Sequence, residues 1–171
     1  RFGGRLSSVL EMRMKEGNQQ KIKGEGGVGL LSSRFTIEGP IFKNKTSFLF
    51  SGRRSYLDIL AAPFQNSDSK SKFYFMDFNM KVNHTFSDKD KLYLSGYFGR
   101  DLFGFVERAS VFGEKEEAGL YWGNATATLR WNHVFNPRLF SNISLIYSRY
   151  RFNIYNNSTR SGSEFSLKYY S

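Results

Sequence analysis

The sequence predicts an all-β fold, an antiparallel up-and-down transmembrane β-barrel segment of about eight strands. Two observations predict it most directly. Strand-length segments alternate apolar with polar residues, and the connections between them alternate short with long. Residues 74–82 give the clearest strand. Tyr74, Met76, Phe78, Met80 and Val82 fall on one face, and Phe75, Asp77, Asn79, Lys81 and Asn83 on the other. Successive side chains of a strand point to opposite faces, so this segment has one apolar face and one largely polar face.

The elements follow in order. Residues 1–20 read as a separate leader, with a strand expected over residues 5–14. Residues 22–39 are too long for one ordinary strand, and their apolar phase flips. Ile22, Val28 and Leu30 are even-numbered, whereas Phe35 and Ile37 are odd-numbered. A flip requires a bulge or a turn. A tight hairpin near Leu31-Ser32-Ser33 is favoured over one long bulged strand. It gives two short strands, each near the roughly 9–11 residues that cross a bilayer.

Gly39-Pro40 and Lys43-Asn44-Lys45 mark a short turn. Residues 46–56 form a strand with Phe48 and Phe50 opposite Ser51 and Arg53. Residues 57–72 form a long connection containing Pro63. Strands are expected over residues 73–86 and 92–100, joined by a short turn at 87–90. A long charged connection spans 101–119. Residues 120–135 read as a strand with Ala125, Ala127, Leu129 and Trp131 facing away from Asn124, Thr126, Thr128 and Arg130. A short turn at 136–138 leads to a strand over 139–152, a loop over 153–162 and a last strand from Ser163. The first residues, Arg1-Phe2-Gly3-Gly4, carry no initiator Met, and the last strand reads as cut, so an internal fragment is expected.

Composition fits this reading. The chain has 171 residues and no Cys, which excludes internal disulfides and thiolate metal sites. Aromatic residues reach 18 %, with 18 Phe and 10 Tyr, as in strands that place aromatic girdles at membrane interfaces. No apolar run of about 18 residues exists to form a transmembrane helix, which says nothing against a barrel, whose strands alternate. Lys and Arg total 25 against 15 acids, a net charge of +10. A basic nucleic-acid-binding β-domain is therefore an alternative. Its basic residues would be grouped on one face, and here they scatter through loops and strand ends, so nucleic acid is not expected as a partner. A small eight-stranded outer-membrane barrel is a further alternative.

Chemical motifs are few. Gly24-Glu25-Gly26-Gly27-Val28-Gly29 matches G-x-G-x-x-G, but residues 30–37 after it are strand-like, and a dinucleotide site needs a helix there. The run suits close packing or a sharp bend. His84 and His133 are the only histidines and lie near strand ends, without the spacing of a metal site. Asp101, Glu107, Glu114, Glu116 and Glu117 place acids in the long 101–119 connection. Calcium or cationic sugars are one reading of them, a solvated loop the plainer one. Six N-x-S/T sequons occur, several of them within strands, where no glycan can be attached. No catalytic, metal or cofactor residues are assigned, and no enzyme is expected.

The leader and first strands resemble a known family. Arg1-Phe2-Gly3-Gly4-Arg5-Leu6-Ser7-Ser8-Val9-Leu10 and Met14-Lys15-Glu16-Gly17-Asn18 resemble the end of the plug domain of TonB-dependent outer-membrane receptors. Gly24 to Gly29, Glu38-Gly39-Pro40-Ile41 and Ser51-Gly52-Arg53-Arg54-Ser55-Tyr56 resemble their first barrel strands. The resemblance implies a barrel of about 22 strands closed by a plug, with residues 1–20 ending the plug and 21–171 starting the barrel. It implies an outer-membrane receptor that imports a scarce ligand (metal chelate, vitamin, glycan or peptide). Its partners would be outer-membrane lipids, the TonB complex through a missing N-terminal segment, and a surface lipoprotein.

Within that frame Arg34, Glu38, Arg53, Asp77, Lys81 and Arg130 are the candidates for the polar, plug-facing wall. A charge on the lipid face would cost about 2–4 kcal/mol at the midplane. Docking of the plug is favoured over substrate contact for these residues. Arg149 and Arg151 are expected near a strand end, close to lipid phosphates.

Overall fold

A computed structural model describes residues 14–65, 69–109, 114–160 and 163–170. The strand expected over residues 5–14 lies, but for its last residue, outside them. The chain folds as one antiparallel meander of eight strands paired strictly in chain order. These are β1 (Lys23–Val28), β2 (Ser32–Phe42), β3 (Thr46–Ser55), β4 (Ser69–Thr85), β5 (Asp90–Ala109), β6 (Glu114–Asn136), β7 (Leu139–Arg160) and β8 (Ser163–Tyr170). β1 and β8 are not paired with each other, so the sheet is open and not closed into a barrel.

The phase flip in residues 22–39 is a hairpin. β1 and β2 pair antiparallel from Lys23↔Glu38 to Val28↔Ser33, with the turn at residues 29–31 closed by Gly29 N–H donating to Ser32 O at 2.9 Å. Gly39-Pro40, expected in a turn, lies inside β2 instead. Pro40 pairs with Ser47 beyond Lys23↔Glu38, the last pair with β1, where β2 has become an edge strand and proline is tolerated. A register shift between Pro40 and Phe42 leads into the true turn, which Asn44 makes in the left-handed region at φ 61°.

Two of the expected long connections are mostly strand. β5 and β6 stay paired to Ala109↔Glu114, so the acids read as a loop lie on a hairpin. β7 runs through residues 153–160 and pairs with β8 to Arg160↔Ser163. The third connection holds a short helix α1 (Leu57–Ala61) and a 3-10 turn (Ala62–Phe64) that the sequence pattern did not reveal. Five residues carry no readable helical period.

Register sorts the side chains into two faces. The apolar face carries Phe35, Ile37, Phe48, Phe50, Phe78, Met80, Val82, Leu92, Leu94, Phe98, Leu129, Trp131, Ile143 and Leu145 in contiguous cross-strand rows. This face is exposed, Leu145 at 72 % and Ile143 at 57 %, and on β7 the other face is exposed too, Ile146 at 67 %. The only buried hydrophobic residue among the described residues is Leu49, on the polar face. Among the described residues the buried positions are thus mostly polar, Glu38, Thr46, Ser47, Ser55 and Asn83, against the usual order of a water-soluble domain.

Candidate functional site

All six candidate residues share the polar face. Arg34 stands opposite Arg53, Arg53 opposite Asp77, Glu38 and Lys81 flank Leu49, and Arg130 stands opposite Tyr93. Strand parity alone fixes this, so the sequence pattern was sufficient to find it.

The structure joins four of the six into contacts. The Arg53 guanidinium grips Asp77 Oδ2 through Nη2 at 2.7 Å and Nε at 2.8 Å, and it lies over the Phe75 ring at 5.1 Å. Glu38 and Lys81 take part in a second group with residues 14–20. Lys15 Nζ donates to Glu38 Oε1 at 2.9 Å. Lys81 Nζ donates to the Met14 carbonyl at 3.0 Å and lies 3.9 Å from Glu16. Arg34 and Arg130 form no ion pair among the described residues.

The leader segment thus rests on the polar face, and Gly17 makes this possible. It is buried against β3, where a Cβ would overlap the Phe48 carbonyl. Under the segment sit two of the most buried polar groups of the sheet. Ser47, fully buried, donates from Oγ to Asn83 Oδ1 at 2.6 Å, and Asn83 is 3 % exposed. Asn18 Oδ1 then accepts from Gln20 N–H and Lys21 N–H, turning the chain away from the sheet toward β1. Sequence pattern singles out Glu38 and Lys81 without Lys15, Glu16, Ser47 or Asn83, because period two assigns faces and not what covers them.

The two histidines lie at the short-turn end of the apolar face. His84 Nδ1 is 2.6 Å from Thr46 Oγ1. No acid is near His133 in sequence, but β5 brings Asp90 to it across the sheet, at 2.6 Å. Trp131 Nε1 and Ser87 Oγ also donate to the Asp90 carboxylate. These bonds, His133 foremost, hold the Asp90 carboxyl below its ordinary range against a smaller opposing effect of burial. Phe86 packs edge-on against His84 and Phe135 against His133, both as exposed rings.

The acids of the expected 101–119 loop do not converge. Asp101, Glu107 and Glu116 lie on the polar face, Glu107 directly opposite Glu116, while Glu117 is on the other face beside Lys115 at 3.4 Å. No cluster of three or more potential metal ligands occurs among the described residues.

The fold and site define an open, two-faced antiparallel sheet with a chain segment docked on its polar side. No family model, curated protein or solved structure matches this chain.

Proposed function

We propose that the chain is part of a TonB-dependent outer-membrane receptor, a transporter that imports a scarce ligand, with residues 1–20 ending its plug and residues 21–171 opening its barrel. One observation carries the reading: the leader docks by ion pairs on the polar face while the opposite face is a broad, unpartnered apolar band. On β4 that band runs from Tyr74 to His84, eleven residues and ten steps, or about 33 Å of strand. At a tilt of about 40° it rises about 25 Å, the height of the apolar belt of an outer-membrane barrel. The polar face then lines the lumen, and Arg34 and Arg130 are left to meet the rest of the plug or an anionic ligand.

The nucleic-acid alternative gains nothing from the structure. Basic residues lie on both faces, with Arg34, Arg53 and Lys81 on one side and Arg54, Arg100 and Arg149 on the other.

Cell fractionation tests the proposal. An antibody against the β5–β6 hairpin should detect an outer-membrane band, far heavier than 19.8 kDa, that shifts on heating. A band in the soluble fraction would sink the receptor reading, and a membrane band of about this chain's own mass would replace it with a small barrel.

A further inference from the structure

The apolar face changes character abruptly toward the β5–β6 hairpin. One cross-strand row there reads Arg54, Met76, Arg100, Gly123, Arg151, and Arg149 lies in the adjacent row. We propose that these four arginines form a belt that seats the phosphate groups of anionic lipid headgroups at the membrane margin. The inference rests on the membrane reading above and deepens it by naming a lipid chemistry.

Charge complementarity carries it. Along this face no strand position between Asp90 and Glu117 holds a carboxylate. The arginines are correspondingly underpaired. Arg149 and Arg151 are exposed and form no ion pair among the described residues. Arg54 reaches only Asp58, at 3.5 Å. Arg100 has a buried Nε without a hydrogen-bond partner. Guanidinium groups bind phosphate through two parallel N–H bonds, the geometry these side chains leave unused.

Their placement fits a headgroup and not the bilayer interior. Toward the short turns the next row holds Gly52, Phe78, Phe98 and Ala125 of the apolar band and ends in Arg149. Tyr74 and Tyr121 flank the belt, with Arg54 over the Tyr74 ring at 5.5 Å and Arg100 over the Tyr121 ring at 4.8 Å. Such amphipathic rings belong at an interface.

The sheet is also staggered. In the row of Thr46, the first residue of β3, pairing on β6 runs on past Trp131 to Asn136. A membrane plane following the turns therefore crosses β7 in a row closer to the short-turn end than on β5, which brings Arg149 level with Arg100, both at equal distance along their strands from the first residue. Between Arg100 and Arg151, Gly123 contributes no side chain, and the Tyr121 phenol lies over it, 3.3 Å from where a Cβ would stand.

The full-length protein, refolded in detergent, would be mixed with vesicles of phosphatidylcholine with or without phosphatidic acid. Flotation reports membrane association, and native mass spectrometry reports retained phosphatidic acid. Wild type should retain it. The R100Q/R149Q/R151Q variant should float equally well and retain less, by about fivefold per arginine. Lys43→Gln with Lys45→Gln, at the opposite end, should change nothing, and Arg→Lys at the three positions should restore part of the loss. Equal retention by wild type and the Gln variant would overturn the belt while leaving the membrane reading standing. Displacement of the lipid by excess inorganic phosphate would reduce it to an ion site. A wild-type protein that does not float would overturn the membrane reading and the belt together.

Discussion

At the residue scale the polar face is held by a few specific contacts of unequal weight. Arg53–Asp77 is well formed but half in the open, with the arginine side chain 55 % exposed. Exposed pairs contribute little. A double-mutant cycle on Arg53→Ala and Asp77→Ala, read by urea unfolding in micelles, should return a coupling of about 0.5–1 kcal/mol. Gly17 is more consequential, because its missing Cβ is what admits the Phe48 backbone. Gly17→Val should lift residues 14–20 off the sheet. Zero-length carbodiimide coupling of Lys15 to Glu38, whose Nζ and Oε1 lie 2.9 Å apart, should then fail, and unchanged coupling would refute the docking.

At the element scale the turns and the helix show what the sequence could and could not reveal. The β1–β2 hairpin was legible because an even-to-odd change in apolar phase has few physical causes. The outer halves of β5, β6 and β7 were not legible. There Arg100, Glu117, Arg151 and Asn157 put polar side chains on the apolar face, and Phe103 and Phe105 put apolar ones on the polar face, ending the alternation that made residues 74–82 plain. A strand leaving the apolar band loses its period and reads as a loop. The six polar-face candidates were found because parity assigns them, whereas their partners in residues 14–20 come from tertiary docking. Asn44 is a test at this scale. Its φ of 61° costs an ordinary side chain about 1–2 kcal/mol. Asn44→Ala should therefore lower stability by about 1 kcal/mol, while Asn44→Gly should be nearly neutral in the same unfolding assay.

The β4–β5 turn carries a pH dependence. Asp90 has its pKa lowered in the folded state, chiefly by His133. Its contribution to stability is present above the unfolded-state carboxylate pKa and is lost as pH falls through the depressed folded value. The stability of the wild type should fall along that acid limb more than that of Asp90→Asn, measured by unfolding at a series of pH values.

At the scale of the whole molecule the sheet is not built for water. Its accessible surface is 13178 Å² at 19.8 kDa, against about 8,600 Å² for a folded soluble monomer of that mass. The excess is largely the bare apolar face and the open sheet. Two free edge strands and a contiguous apolar surface would aggregate in water, and a larger barrel in a bilayer resolves both.

The most direct test of that claim is a spin-label scan. The chain has no Cys, so single cysteines can be placed at each of residues 76–83 in the parent protein in membranes. A lipid-facing sheet should give a period of two. Labels at Met76, Phe78, Met80 and Val82 should be accessible to oxygen dissolved in lipid, and those at Asp77, Asn79, Lys81 and Asn83 to a water-soluble relaxant. Equal access of the water-soluble reagent to both sets would contradict it, leaving a two-faced sheet that does not face lipid.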